Sequence, residues 1–247
     1  MTDPFAFPGL LPVARPPHLD ADCALFLDLD GTLLDIAATP GSVIIPKGLV
    51  QDLARTSVKL GGALAVVSGR PLDEVDRLLA PLRLPGAGEH GCVIRMPSGV
   101  IEETGESVPM QWHAELEAAT SKLKGTFIER KTRSVAVHYR LAPQHESMVR
   151  RACNALVANG TGSFEVLQGK MVVEIRPVAA NKGVAVRRLM EAEPFRGRRP
   201  IFVGDDVTDI DGFRAAQALG GTGADVFMQF AGRPAEVRHW VRMAPAN

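Results

Sequence analysis

In the stretch CALFLDLDGTLLD (residues 23–35) an apolar run ends on two carboxylates, Asp28 and Asp30. In extended backbone, side chains two residues apart point the same way. Carboxylates that close repel unless a cation lies between them or one holds a proton. The pair therefore suits metal binding, acid–base work or nucleophilic attack. Gly31 lets the chain turn sharply behind it, and the Thr32 hydroxyl can hold that turn or a ligand oxygen. Asp-Gly between apolar runs is also a hairpin signal. A hairpin, however, would leave Asp28 inside a strand against an apolar layer, at a heavy desolvation cost unless paired. An EF-hand loop is excluded, because Leu33 and Thr39 stand where it needs a glycine and an acid.

Further candidates lie far along the chain. GDDVTD offers Asp205, Asp206 and Asp209, hard oxygen ligands of the kind Mg²⁺ takes. An acid-rich first helical turn, stabilised by the helix dipole, is the other reading of the same residues. Lys182 in NKG stands where a helix begins, so its ammonium and free backbone N–H groups can hold a phosphate together. Ser68, Gly69 and Arg70 follow an apolar run and offer an oxyanion a hydroxyl, bare backbone and a guanidinium. GAGEHG (86–91) matches the spacing of the dinucleotide fingerprint, but that motif has meaning only between a strand and a helix. Here RLP precedes it and the turn-bearing CVIRMPSGVIEE follows, which argues against such a site. His90, within it, fits either the edge of a site or a structural histidine.

These residues need elements to position them. CALFLD, ALAVVSG and PIFVGDD are continuous apolar runs that end in polar chemistry, as in a parallel sheet covered on both faces. Helical patterns lie between or after them, in PKGLVQDLARTSVKLGG, RPLDEVDRLLAPL, NKGVAVRRLMEAE and TDIDGFRAAQAL. The β-α alternation predicts an α/β fold, a Rossmann-like parallel sheet whose ligands gather at the carboxyl ends of the strands. Asp28, Ser68 and Asp205 all stand at such ends.

Residues 105–177 follow another rule, α-β-β twice, and are expected to form a smaller α/β cap inserted in a core of residues 1–104 and 178–247. In SVAVHYRL, Val135, Val137 and Tyr139 alternate with Ala136, His138 and Arg140, which predicts an antiparallel sheet with one solvated face. PSG at 97–99 marks a hairpin before the chain crosses into the insert.

Twenty-eight basic residues balance 28 acidic ones, so no overall field draws the chain to nucleic acid or an anionic membrane. Any anionic ligand must be held locally. No apolar run is long enough to span a bilayer, and the start of the chain lacks the basic n-region of a signal peptide. An odd number of cysteines, Cys23, Cys92 and Cys153, fits a reducing compartment. A cytoplasmic protein is expected.

DLDGTL, VVSGR, NKG and GDDVTD, in this order and across nearly the whole chain, resemble the haloacid dehalogenase (HAD) superfamily of phosphatases. GEHG, ERK, HYR, LQGKMVVEIRP and GDDVTDIDGF extend the resemblance to its trehalose-6-phosphate phosphatase branch, with that branch's inserted cap. The resemblance implies a Mg²⁺-dependent phosphatase with Asp28 as nucleophile and Asp30 as general acid and base. Ser68 and Lys182 would hold the phosphoryl group. Asp28, Asp205 and the backbone carbonyl of Asp30 would hold Mg²⁺, with Asp206 and Asp209 just behind. Gly69 and Arg70, and Glu129, Lys131 and Glu174 from the cap, would meet a small sugar-phosphate substrate; a trehalose-6-phosphate synthase would be the pathway partner. Another sugar-phosphate phosphatase, or a weakly catalytic sugar-phosphate-binding regulatory domain, is the alternative. The sequence departs from the branch at Ile210, where a glutamate is usual, at Thr132, where glycine follows ERK, and in a shortened segment after QALGG.

Overall fold

The computed structural model describes residues 15–37, 39–160, 162–169 and 171–244. The chain runs β1 (Cys23–Leu27), α1 (Leu49–Lys59), β2 (Leu64–Val67), α2 (Leu72–Leu79), β3 (Gly86–Gly88), β4 (Val93–Arg95) and β5 (Ile101–Glu103). There follow α3 (Met110–Thr120), β6 (Phe127–Arg130), β7 (Val135–His138), α4 (Glu146–Ala158), β8 (Phe164–Gly169) and β9 (Val172–Pro177). The last third holds α5 (Lys182–Met190), β10 (Arg199–Gly204), α6 (Ile210–Ala218), β11 (Thr222–Asp225), α7 (Val226–Gln229) and α8 (Pro234–Arg242).

Seven strands form the main sheet in the order β11-β10-β1-β2-β3-β4-β5. It is parallel from β11 to β3, and β4 and β5 add an antiparallel edge. Every residue of β1 and β2 is buried, as their unbroken apolar runs require of strands covered on both faces. The expected β-α order therefore holds, and the 97–99 turn closes the hairpin between β4 and β5, with Gly99 N–H donating to the Met96 carbonyl. Two strands carry no apolar signature and are found only here. β3 lies within GAGEHG, so that motif is a short strand and a turn rather than a strand-to-helix loop. β11 follows directly on QALGG and pairs with β10 in parallel.

A separate antiparallel sheet, β6-β7-β9-β8, carries α3 and α4. Leu116, Val135, Val137, Val149, Cys153 and Ile175 pack between sheet and helices. The opposite face corrects the sequence expectation. Ala136 and Glu174 are buried on it and His138 is half-buried, because this face lines a cleft against the main sheet's strand ends instead of bulk solvent. Among the described residues, no helix is long and apolar enough to cross a membrane.

Candidate active site

The register of the central strands builds the first half of the site. β1 pairs in parallel with β10, Leu27 opposite Val203, and the Asp28 N–H donates to the Val203 carbonyl at 2.9 Å. Asp28 and Asp205 therefore leave the sheet at the same end. Behind Asp30 the chain turns tightly: Gly31 N–H donates to the Leu34 carbonyl, and Leu33 and Leu34 N–H both donate to the Leu29 carbonyl. Gly31 has φ +86°, and a Cβ there would lie 2.2 Å from Asp205 Oδ2, so the turn needs glycine for both its conformation and the carboxylate's approach.

Lys182 ties the acids together. Asn181 caps α5, its side chain accepting from Val184 N–H, which sets Lys182 at the helix start. The buried ammonium lies 2.6 Å from Asp28 Oδ1 and 2.6 Å from Asp209 Oδ1. The other oxygen of Asp209 accepts the backbone N–H groups of Asp205 and Asp206, and the Thr32 hydroxyl donates to Asp205 at 3.3 Å. Asp28, Asp205 and Asp209 offer oxygens within 4.8 Å of one another, all three residues buried. Burial pushes the Asp28 carboxyl well above its usual range; Asp209 and Asp205 add to this and Lys182 opposes it. Lys182 is shifted up despite its burial, by Asp209 and Asp28. Three carboxylates around one ammonium leave an excess of negative charge here. A divalent cation fits that excess charge and the hard oxygens around it.

Asp30 lies apart from this cluster. Its carboxylate is gripped by the Arg70 fork, Nε at 2.6 Å and Nη2 at 2.7 Å, while Nη1 holds Glu74 of α2 at 2.6 Å. Arg70 thus lines the cleft while it orients Asp30 and reaches Glu74. Ser68 is buried, its Oγ accepting the Arg70 N–H, so the hydroxyl proton is available to an oxyanion.

The second sheet supplies the facing wall. Lys131 donates to Glu174 Oε2 at 2.7 Å and to the Gly69 carbonyl at 2.8 Å, a contact between the two layers. Ser134 donates to Glu174 Oε1 at 2.7 Å, and His90 Nε2 lies 3.5 Å from Oε2. Burial alone would raise Glu174, but Lys131 and His90 outweigh it and hold the carboxyl well below the usual range. Glu129 is likewise lowered against its burial, by His138, whose Nε2 is 2.7 Å away, and by Lys131. Asp28, Ser68 and Lys182 therefore share one cleft with Glu129, Lys131 and Glu174.

The trehalose-phosphatase family profile matches residues 26–235. The chain belongs to the trehalose-phosphatase family. It is 47% identical over 199 residues to a probable trehalose-phosphate phosphatase of Sinorhizobium fredii, covering 80% of this chain and 75% of that one. It is 36% identical over 241 residues to the trehalose-6-phosphate phosphatase of Escherichia coli, covering 94% and 90% respectively. The C-terminal domain of Candida albicans trehalose-6-phosphate phosphatase shares the fold, with a TM-score of 0.75 at 20% identity, over 90% of this chain and 92% of that one.

In this member of the trehalose-phosphatase family the residues singled out from sequence lie along one cleft and the acidic cluster at its base. Asp209, expected just behind the cation ligands, lies in the acidic cluster and anchors Lys182; Arg70, expected at the substrate, lines the cleft and holds Asp30. Four further residues at the site have no role assigned from sequence, although GEHG contains Glu89 and HYR contains His138. Glu74 looks like any acid in a first helical turn, Ser134 and His138 like polar strand residues, and Glu89 like part of a glycine-rich loop. Of the departures, Thr132 is not among the positive-φ residues, so it adopts its turn without the strain a left-handed position would impose. Ile210 opens α6 with a half-buried side chain.

Proposed function

We propose that this protein hydrolyses trehalose 6-phosphate to trehalose and inorganic phosphate, with residues 105–177 acting as a cap over the catalytic sheet. The observation that carries this reading is the shared cleft. A buried nucleophile with an adjacent ammonium forms one wall, and a buried row of paired charges suited to sugar hydroxyls forms the other.

Asp28 attacks phosphorus; the bond to the sugar oxygen breaks and an aspartyl-phosphate forms, dividing the hydrolysis into two easier displacements. Asp30, protonated when it enters this step, gives its proton to the departing oxygen and becomes the carboxylate that the Arg70 fork holds. It then takes a proton from the water that cleaves the aspartyl-phosphate and releases phosphate. Lys182 and Ser68 hold phosphoryl oxygens, so that an anionic nucleophile can approach an anionic substrate. Asp28, Asp205 and the Asp30 carbonyl, with Asp206 behind them and Asp209 beside them on Lys182, would hold Mg²⁺, which would supply further charge neutralisation at the phosphoryl group. Arg70 fixes the carboxylate of Asp30. Glu129, Lys131 and Glu174 bind sugar hydroxyls. A trehalose-6-phosphate synthase is the reaction partner that supplies the substrate, and three buried free thiols support a cytoplasmic setting.

The test is phosphate release from a panel of trehalose 6-phosphate, glucose 6-phosphate, sucrose 6-phosphate and nitrophenyl phosphate with Mg²⁺. Trehalose 6-phosphate is expected to show the highest kcat/KM. Preference for a monosaccharide phosphate would replace the substrate assignment, and no release from any of them would refute the phosphatase reading.

A further inference from the structure

The turn after β3 carries more than His90. Glu89, His90 and Gly91 have φ of +50°, +56° and +103°, three consecutive residues in left-handed backbone, two of them not glycine. Such strain persists only where surrounding structure over-determines it, and it is a reason to look for function. The turn is pinned at both ends: Glu89 N–H donates to the Arg70 carbonyl at 3.0 Å and His90 N–H to the Ser68 carbonyl at 2.9 Å. A Cβ on Gly91 would lie 2.3 Å from the Asn181 carbonyl oxygen, so the turn also packs on the cap of the helix that bears Lys182.

From this position the buried Glu89 side chain reaches the other layer. Its Oε1 accepts Thr132 N–H at 2.8 Å; its Oε2 accepts Arg133 N–H at 2.8 Å and Ser134 N–H at 3.2 Å. One carboxylate thus satisfies three successive backbone donors of the β6–β7 turn. That turn lies between Lys131 and Ser134, the two residues that hold Glu174. Arg133 ties it a second time, through the Gly105 carbonyl and the Glu103 carboxylate, where the chain crosses between the layers.

We propose that Glu89 is a positioning residue for substrate selection: it locks the β6–β7 turn to the catalytic layer and so sets Lys131 and Glu174 in register over the cleft. The proposal rests on the phosphatase reading above. Glu89 itself touches neither the acidic cluster nor Lys182 through any of these bonds; it acts through the cap turn. A neutral glutamine of the same shape keeps one acceptor oxygen, but its amide must then face at least one backbone N–H.

The test combines kinetics with amide hydrogen exchange on the full chain, wild type and Glu89→Gln. In the wild type, the amides of Thr132, Arg133 and Ser134 should be protected although they lie in a hairpin turn. Glu89→Gln should speed their exchange at least ~10-fold. It should lower kcat/KM for trehalose 6-phosphate at least ~10-fold, mainly through KM, and change nitrophenyl phosphate hydrolysis less than about threefold. Unprotected turn amides in the wild type, or exchange unchanged in the variant, would overturn the clamp. Faster exchange with unchanged trehalose 6-phosphate kinetics, or equal losses on both substrates, would overturn the role in selection and leave the phosphatase reading standing. A wild type that releases phosphate from neither substrate would instead overturn the phosphatase reading and the selection role together, while the exchange result still reports whether Glu89 holds the turn.

Discussion

Replacing Lys131 by methionine removes a buried ammonium and keeps most of its volume. In the wild type that ammonium contacts Glu174 at 2.7 Å and the Gly69 carbonyl at 2.8 Å, with both charged side chains 5% exposed. Breaking one partner of a buried pair costs about 3–5 kcal/mol, because the remaining charge is left without compensation. Glu174 would retain the Ser134 hydroxyl and a histidine 3.5 Å away, which places the expected loss near the lower end. A loss of about 3 kcal/mol in a chain of this size lowers Tm by roughly 6–12 °C.

The pH dependence carries a sign. Lys131 and His90 hold the folded-state value of Glu174 below its ordinary 4.5, against burial. The wild type therefore has this stabilisation in full above that value and loses it as pH falls toward the folded value. Without the ammonium, burial dominates and the folded value rises above 4.5, so the variant regains stability as Glu174 takes up a proton. The gap between the proteins should be widest near neutral pH and should narrow toward about pH 4. Urea unfolding followed by Trp112, which lies in the core of the second sheet, measures it in a Trp240→Phe background. Adding Glu174→Gln to Lys131→Met should recover at least half the deficit. A deficit under about 1 kcal/mol at neutral pH, a gap that does not narrow in acid, or a double variant no more stable than the single one would refute the argument.

Asp28→Asn should abolish turnover with the fold retained, since the amide is nearly isosteric yet not nucleophilic; activity within tenfold of wild type, roughly 1.4 kcal/mol, would remove Asp28 from that role. Chelation with EDTA should abolish phosphate release and added Mg²⁺ restore it, with Ca²⁺ a poor substitute because its looser coordination disturbs in-line geometry; undiminished activity in chelator would exclude a required metal. Glu129→Ala should lower kcat/KM for trehalose 6-phosphate at least ~10-fold and nitrophenyl phosphate hydrolysis much less, and parallel losses would assign Glu129 to stability instead.

Much of the catalytic layer was legible in the chain because its signals are local. Continuous apolar runs mark strands buried on both faces, and a run that ends on Asp28, Ser68 or Asp205 puts those groups where parallel sheets gather ligands. Asp28 and Asp30 could be paired with chemistry from spacing alone. β3 and β11 escaped because glycine stands where a side chain would collide: a Cβ at Gly223 would lie 2.6 Å from Phe213 Cβ, and one at Gly86 would lie 2.0 Å from the Val66 carbonyl oxygen. Strands built for close approach carry no apolar pattern.

Which polar residues pair with which was a matter for the tertiary structure. Glu129, Lys131 and Glu174 have the sequence pattern of a solvated strand face; the Lys131 and Glu174 side chains are buried and Glu129 half-buried because the main sheet's strand ends lie opposite. Arg70 reaches back 40 residues to Asp30, and Glu89 reaches forward 43 to 45 residues to the β6–β7 turn. A charged side chain looks the same in sequence whether water or a distant carboxylate satisfies it, since desolvation is a property of the space around it. Local spacing therefore determined the Asp28–Asp30 carboxylate pair and the strands that aim it, while long-range packing decided how the acids are held and what faces them across the cleft.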